Sequence, residues 1–433
     1  MAPVGAVSGD TVRELCARSG LGVARVVVMS SRVLLVAWLG RAKGLERMNF
    51  VALKMLFGDK AKYFGIIMGV TLASLVITQQ GAIFIGLMAR TCSFITDIGL
   101  PDAWVMDRKV LFIDDVKPMQ DTELYRVRGV EGVAWAMPMY KGLLRVRLDD
   151  GNFQNCNLIG LDDATLVGGP PVMVEGRLAD LRRADGVIVD QVGAETRLAR
   201  PSKVPGGKPV PLKVGDTLEL NDHRAIVVGI CRTTRTFQSQ PTIFTTYGRA
   251  TTFAPRERKL LSFVLVKAAD GQDVKELCDR IARTTDLAAY TGPQFKWLTV
   301  SYFLKNTGIP INFGIAVGLG FFIGAVITGF MFYSFTIDNL RFFGTLKAMG
   351  ASNETLLVMV MLQALLVGAI GFGLGIGLAS MIGYAARGST LAFMMPWQLL
   401  VVSGGAVMII CILSAVLSMR RVVTLEPAIV FKG

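Results

Sequence analysis

The sequence predicts a membrane α-helical protein with four transmembrane helices and a large α+β extracytoplasmic domain between helices 1 and 2. Composition is the first observation behind this fold class: the 433 residues are 52% hydrophobic and only 18% charged, whereas soluble domains carry about 25% charged residues. The second is the order of the chain, in which one long charge-free run comes early, three come late, and a mixed segment separates them. This pattern disfavours a wholly soluble protein.

The N-terminal part of the chain comes before these elements. In residues 1–47 the apolar stretch 33–40 is too short to cross a bilayer. Two interpretations stay open: an amphipathic piece at the membrane interface, or a segment that is not translated because synthesis begins at Met48. Residues 48–62 mix Phe50 and other apolar side chains with three lysines, which predicts a short helix in the cytoplasmic interface.

Four runs without Asp, Glu, Lys, Arg or His predict the transmembrane helices, since a span needs about 20 residues. The four spans are residues 63–89, 307–337, 355–386 and 388–419. Proton-driven and ion-driven carriers keep ionisable groups in the bundle as relays, and these spans have none. We therefore expect the energy for any transport to come from another polypeptide.

Charges beside the spans predict the orientation. Residues 1–62 carry ten Lys/Arg against four Asp/Glu, and the last span is followed by Arg420 and Arg421. Because positive residues near span ends stay on the cytoplasmic side, we expect both termini, including the tail 420–433, in the cytoplasm. Residues 90–306 then lie in the periplasm of an inner-membrane protein. Their 30 Lys/Arg against 26 Asp/Glu are close to balance, which argues against a nucleic-acid partner.

The extracytoplasmic segment shows the mixed signals of an α+β domain. Apolar and charged residues alternate over 144–148, which predicts a strand, and a second hairpin is expected around the turn at residues 221–224. Asp273 and Glu276 have the spacing of a capping box at the start of an amphipathic helix.

Residues that could carry catalysis are scarce. No phosphate-binding G-x-x-x-x-G-K-[ST] motif is present, and the loop at Gly207 lacks both the Ser/Thr and the strand-to-helix setting. His223 is the only histidine and no cysteines are spaced C-x₂-C, so a zinc site has almost nothing to build with. We expect no catalytic site, no metal and no cofactor in this chain. The disulfide state of the extracytoplasmic cysteines stays open; these are Cys92, Cys156, Cys231 and Cys278.

The link between spans 2 and 3, residues 338–354, is the most distinctive cytoplasmic segment. Leu340, Phe343 and Leu346 follow helical spacing, and Gly350 is placed to end the helix. An amphipathic helix in this position serves either as a passive interfacial anchor or as a docking surface for a soluble partner.

Glycines at G-x-x-x-G spacing crowd spans 2 and 3. They are Gly314, Gly318, Gly320, Gly324, Gly371, Gly373, Gly375 and Gly377. Such spacing lets helix backbones approach closely, and it fits helix packing inside one subunit as well as a dimer seam.

The segment 341–351, RFFGTLKAMGA, resembles the R-E-x-G-x-L-[RK]-A-[LM]-G-A stretch of MacB/FtsX-like ABC transporter permeases. The basic run at Arg420 that is followed by a Pro-Ala pair is similar to the family's C-terminal end. Short pieces of the external segment, from Glu175 to Ile230, resemble the family's periplasmic core domain. The resemblance covers residues 48–433 and looks closest to the DevC-type permeases.

In that family the link is the coupling helix that contacts a separate ATP-binding subunit. The resemblance therefore implies a coupling role for Asn339, Arg341, Phe342, Phe343, Gly344, Leu346, Lys347, Met349 and Gly350. The family's glutamate is Phe342 here, so we expect apolar docking through Phe342 and Phe343 in place of an acidic contact.

The resemblance further implies a homodimeric exporter permease of the mechanotransmission type. ATP would be bound and hydrolysed by a partner subunit in trans, and a periplasmic membrane-fusion adaptor with an outer-membrane channel would complete the export path. Two alternatives share the architecture: a lipoprotein-extracting permease, and an FtsX-like transducer that regulates a periplasmic cell-wall hydrolase. A receptor or scaffold without an ATPase is a third.

Overall fold

The computed structural model describes residue 52 and residues 54–202, 207–255, 261–387 and 389–423. The N-terminal extension 1–47 and most of the predicted tail lie outside these residues. The chain divides into two compact units. The membrane unit runs to Gly86 and resumes at Pro310, and the external unit is Leu87–Ile309.

The helices named here are, in chain order, α1 (Lys60–Thr91), α2 (Ser93–Asp97), α3 (Thr122–Arg128), α4 (Gln191–Glu195), α5 (Tyr247–Phe253), α6 (Val274–Thr285), α7 (Gly292–Asn306), α8 (Ile309–Asp338), α9 (Leu340–Ala348), α10 (Asn353–Ala385) and α11 (Trp397–Val423). Among the described residues α1, α8, α10 and α11 are the helices long and apolar enough to cross a membrane, and we call them spans 1 to 4. The predicted fold class, with four spans and an external domain between the first two, is confirmed.

The core of the membrane unit draws residues from all four spans, from the segment before span 1 and from the link between spans 2 and 3. Ile66, Phe335, Val360 and Ala415 represent the four spans, and the link helix α9 adds Phe343. The segment before span 1 also takes part. Its Ala52 and Leu56 side chains are fully buried in the same core, while Lys54 and Phe57 are exposed. The segment predicted to lie in the membrane interface thus packs one face against the bundle.

The strands of the external unit are β1 (Ala103–Met106), β2 (Val133–Arg147), β3 (Phe153–Leu161), β4 (Val172–Glu175), β5 (Gly186–Asp190), β6 (Thr217–Leu220), β7 (His223–Arg232), β8 (Thr242–Thr246), β9 (Phe263–Ala268) and β10 (Ala288–Thr291). They form one mixed sheet in the order β10-β1-β9-β2-β3-β8-β5-β7-β4, with β6 paired to β2 and β7. The long strand β2 is shared between two parts of the sheet, since it pairs with β9 near its start and with β3 and β6 near its end.

Local signals account for several of these elements. The hairpin of β6 and β7 turns at Asn221 and Asp222, which both have positive φ as a two-residue type I′ turn requires. Helix α6 begins with the Asp273 carboxylate accepting from the backbone N–H of Lys275. The predicted reciprocal half of that capping box is wrong: Glu276 instead accepts from Arg280 Nη2 at 3.1 Å, one turn along the same helix.

The cysteines among the described residues are free thiols: Cys92, Cys156, Cys231, Cys278 and Cys411. Four of them are buried, and Cys92 is half-buried.

Candidate functional site

The link helix α9 begins where span 2 ends. Asn339 lies between them with a nearly buried side chain, whose Nδ2 donates to the carbonyl of Phe335 at 2.8 Å. The same carbonyl also accepts from the backbone N–H of Asn339 at 3.2 Å, so the side chain adds a second bond at the end of span 2. Asn339 therefore joins the two helices and does not face a partner protein.

The other end of α9 is closed by Gly350. Its φ is +99°, its N–H donates to the carbonyl of Lys347, and the N–H of Ala351 donates to that of Leu346. This pair of bonds is a Schellman motif, which favours glycine because of the left-handed conformation. Span 3 then starts with its own cap, in which Ser352 Oγ accepts from the N–H of Thr355 at 3.3 Å.

One face of α9 is fixed in the bundle. Phe343 has no exposed surface and belongs to the membrane core, and the adjacent Gly344 is also buried. The expectation that Phe343 docks on a partner is therefore wrong for this structure, because its ring is already enclosed by spans of its own chain. Phe343 anchors the helix instead.

The opposite face of α9 is exposed. Phe342 is 61% exposed and Met349 is 73% exposed, and with the exposed Thr345 they lie at positions i, i+3 and i+7, which share one helix face. We call Phe342, Thr345 and Met349 the cytoplasmic patch. The exposed Arg341 lies beside it, so the patch combines apolar surface with positive charge.

Polar contacts tie α9 to the ends of two other spans. Just before its start, Asp338, the last residue of span 2, forms an ion pair with Lys62 of span 1. At its end, the Lys347 ammonium donates to the carbonyl of Val423, the last described residue of span 4, at 3.1 Å. A cation at the carboxyl end of a helix is favourable. These two contacts connect the link to spans 1 and 4, and the half-buried Leu346 packs against the membrane core.

Four of the eight predicted glycines lie at helix crossings inside the subunit. A Cβ at Gly371 would be 2.6 Å from Val70 Cγ1, and one at Gly375 would be 2.5 Å from Ser74. Gly320 and Gly324 make equally close approaches from span 2, to Val76 and Ala73. These glycines let span 1 pack between spans 2 and 3.

The other four glycines face away from the subunit. A Cβ added at Gly314, Gly318, Gly373 or Gly377 would meet no atom within 4 Å. The eight glycines thus separate into two sets that sequence spacing alone does not distinguish.

Sequence reasoning missed one side chain near this site. Gln363 of span 3 is fully buried, and its Nε2 donates to the carbonyl of Ala52 at 2.7 Å, which attaches the segment before span 1 to the bundle. Polar residues in spans often join helices. A glutamine in an apolar run was therefore an available signal.

Comparison with known proteins agrees with this architecture. A model of the MacB-like periplasmic core domain matches residues 64–284, and a model of the FtsX-like permease C-terminal region matches residues 314–427. The chain belongs to the MacB/FtsX-like family of ABC transporter permeases. As a permease of this class it works with an ATP-binding partner subunit, and it is a membrane protein with an extracytoplasmic domain.

Individual relatives are distant. An uncharacterized ABC transporter permease, found in two strains of Mycobacterium tuberculosis, is 23% identical over 326 residues, which cover 73% of this chain and 80% of the relative. The extracellular domain of the noncanonic ABC-type transporter YknZ from Gram-positive bacteria is 13% identical, with a TM-score of 0.32, and covers 44% of this chain and 99% of that one. The periplasmic region of MacB from Actinobacillus actinomycetemcomitans is 15% identical, with a TM-score of 0.33, and covers 49% and 96%.

Proposed function

We propose that this chain is the permease subunit of a mechanotransmission-type ABC exporter in the cell inner membrane. It acts as a homodimer with both termini in the cytoplasm, and a separate subunit binds and hydrolyses ATP, so the chain itself carries no catalytic site and no cofactor. A periplasmic membrane-fusion adaptor and an outer-membrane channel receive the exported substrate. The observation that carries this proposal is the cytoplasmic patch on a helix that is anchored to the bundle.

The patch has the composition of a protein-binding hot spot. An aromatic side chain that enters a pocket of a partner and loses its contact with water contributes about 1.5–3 kcal/mol, and such anchors dominate many interfaces. Phe342 and Met349 supply this apolar surface, and Arg341 adds a charge at its edge. We expect the ATP-binding subunit to present an apolar groove with an acidic rim.

The anchoring of α9 explains how the contact does work. When the ATP-binding subunits close, they displace the patch and α9 with it. Because Phe343 of α9 is held in the membrane core, the displacement passes to the bundle. Lys62 and Asp338 carry the displacement to the start of span 1. Span 1 and span 2 lead directly into the external domain, so their movement is the one that reaches the substrate side.

Co-purification with the ATP-binding subunit tests the proposal. In Phe342→Asp the partner's apolar groove must accept a carboxylate, and we expect at least a tenfold loss of bound ATP-binding subunit, or about 1.4 kcal/mol. The measurement is the ratio of the two subunits after purification from native membranes, together with the ATPase activity of the complex.

A matched control is Phe57→Asp. Phe57 is 49% exposed in the segment before span 1 and lies outside the patch, so this variant should keep the partner. If no ATP-binding subunit co-purifies with the wild-type chain, or if both variants release it equally, the proposed role of the patch is wrong.

A further inference from the structure

The connector between spans 3 and 4 is seated against span 1. We define the connector as residues 389–396. The backbone N–H of Met394 donates to the carbonyl of Ala82 at 3.0 Å, although Ala82 lies within span 1. Ala392 is only 4% exposed. The connector is therefore held by the bundle and does not extend freely from it.

Two glycines form the surface against which the connector packs, and we call this surface the seat. A Cβ at Gly86 of span 1 would lie 2.7 Å from the carbonyl carbon of Ala392 and 2.8 Å from its oxygen. These are backbone atoms, which cannot turn aside, so only glycine allows this approach. Gly383 of span 3 lies against the ring of Phe393, and a Cβ there would overlap the ring. The Ala392-Phe393 pair thus fits between a notch on span 1 and a notch on span 3.

Span 4 takes part in the same arrangement. Leu399, near its start, packs on Gly81 of span 1, where a Cβ would lie 2.6 Å from Leu399 Cδ1. Three glycines, at positions 81, 86 and 383, therefore lie where spans 1, 3 and 4 meet the connector. A Cβ added at Gly373 or Gly377 of span 3 would meet no atom within 4 Å, so close approach distinguishes Gly383 from these two glycines of the same helix.

The position of the seat gives it a functional meaning. Gly86 is the last residue of the membrane unit, and the chain passes from it into the external unit at Leu87. A movement carried along span 1 must pass this residue to reach the external domain. A contact that holds Gly86 to the connector therefore controls whether that movement is transmitted.

We propose that Ala392-Phe393 is a clamp that fastens the outer end of span 1 to spans 3 and 4 in the resting state, and that it opens during the transport stroke. One hydrogen bond and one half-buried ring make a small contact, of a size that opens and closes without unfolding its surroundings. The opening step rests on the proposed function, whereas the clamp itself does not.

Thiol labelling of the full-length chain tests the clamp. Ala392→Cys places a thiol in the seat, Thr390→Cys places one at an exposed position two residues earlier, and Cys92→Ser removes a half-buried native thiol. With a membrane-impermeant maleimide and peptide mapping, we expect Ala392→Cys to react about tenfold more slowly than Thr390→Cys. Equal rates would overturn the clamp.

Glycine variants on span 3 provide a matched pair. Gly383→Ala pushes the Phe393 ring from its notch, and we expect the labelling of Ala392→Cys to rise about fivefold. Gly377→Ala makes the same chemical change where there is open space, and the labelling rate should stay unchanged. If the two variants label alike, the glycine notch does not hold the connector.

The opening step is tested on the complex with the ATP-binding subunit. ATP with orthovanadate, which traps the closed state of the nucleotide subunits, should raise the labelling of Ala392→Cys. Unchanged labelling in a complex that still hydrolyses ATP would show a permanent brace and overturn the opening. Failure of the proposed function has a different signature, the absence of a co-purifying ATP-binding subunit, and the two labelling comparisons decide the clamp in either case.

Discussion

Phe342 and Phe343 are chemically identical neighbours with opposite roles. One is 61% exposed on the cytoplasmic patch, and the other has no exposed surface in the membrane core. We expect Phe343→Ala to destabilise the folded chain by about 3–5 kcal/mol, because the deleted ring leaves a cavity. Phe342→Ala should change stability by less than about 0.5 kcal/mol.

Thermal unfolding of the two variants in the same detergent measures this difference. The stability of Phe342→Ala serves as the control, since the two substitutions remove the same atoms. Similar losses of stability in both variants would mean that α9 is not anchored by Phe343. The proposed transmission through this helix would then lose its mechanical basis.

The buried thiols of the external unit give a second prediction for single residues. Burial raises the pKa of Cys278 from 9.0 to about 11, and the carboxylates of Asp279 and Asp273 act in the same direction. A pKa that is two units higher leaves about 100-fold less thiolate at pH 8 than an ordinary cysteine has, since both thiols are mostly protonated at that pH. Because the thiolate is the reactive form, we expect Cys278 to resist alkylation in the folded protein.

Mass spectrometry after iodoacetamide treatment, with and without denaturant, checks this expectation. Cys278 should react fully once the chain is unfolded and without any reducing agent, since it is a free thiol. A requirement for reduction before alkylation would show a disulfide and contradict the structure.

At the scale of elements, the sequence is informative wherever the signal is local. Charge-free runs predict the spans, Asn221 and Asp222 predict a hairpin turn, and Asp273 predicts the start of a helix, because each depends on neighbours within a few residues. Even a local signal can mislead: the spacing of Asp273 and Glu276 predicts a capping box, but the Glu276 carboxylate accepts from Arg280 one turn along the helix.

Elements that meet through the fold were not predictable in this way. The two halves of β2 pair with different strands far along the chain, and nothing in its own residues indicates where the change falls. The link helix α9 is similar: the family resemblance indicates its residues, but which phenylalanine faces the core depends on the spans that pack around it. Gly320 and Gly318 differ for the same reason, since only the first is crossed by span 1.

The ion pair between Lys62 and Asp338 belongs to this scale because it joins two helices. Each residue lies at the end of its helix where its charge opposes the helix dipole, and pairing offsets both effects. Asp338→Lys replaces attraction by repulsion. The pair is partly exposed, so we expect a loss of about 1 kcal/mol and an increase of about fivefold in hydrogen exchange of α9.

The exchanged pair, Lys62→Asp with Asp338→Lys, provides the control. It restores the attraction and places each charge at the helix end that the dipole favours, although Lys62→Asp also loses the ion pair with Asp59. The exchange rate of α9 should therefore return most of the way to that of the wild type. Hydrogen-exchange mass spectrometry reports α9 directly. If the double variant exchanges as fast as Asp338→Lys, the two residues act independently and the proposed link between α9 and span 1 is absent.

For the whole molecule, the question is which surface of the membrane unit meets a second copy. In lipid, apolar side chains gain nothing from leaving the solvent, so helices associate where small residues allow close packing. Span 2 is the least enclosed by its own chain: 22% of its most apolar 18-residue stretch is buried, against 50% of the corresponding stretch of span 3. Its exposed face carries Gly314 and Gly318 one turn apart, beside Ile315 and Phe322.

We therefore place the seam of the proposed homodimer on this face of span 2. Leucine at both Gly314 and Gly318 would hold the backbones apart, and we expect dimer affinity in liposomes to fall at least tenfold, or about 1.4 kcal/mol. Subunit counting by single-molecule photobleaching over a dilution series measures the change.

Gly373→Leu with Gly377→Leu is the matched control for that experiment. These two glycines have the same spacing and the same open surroundings, but they lie on span 3. If only the control pair separates the subunits, the seam lies on span 3 and span 2 faces lipid. If wild-type chains are monomeric throughout the dilution series, the homodimer itself is wrong. If only the span 2 pair separates the subunits, span 2 lies at the centre of the dimer. Because span 2 connects the external domain to α9, the movements of the two copies would then be coupled through this contact.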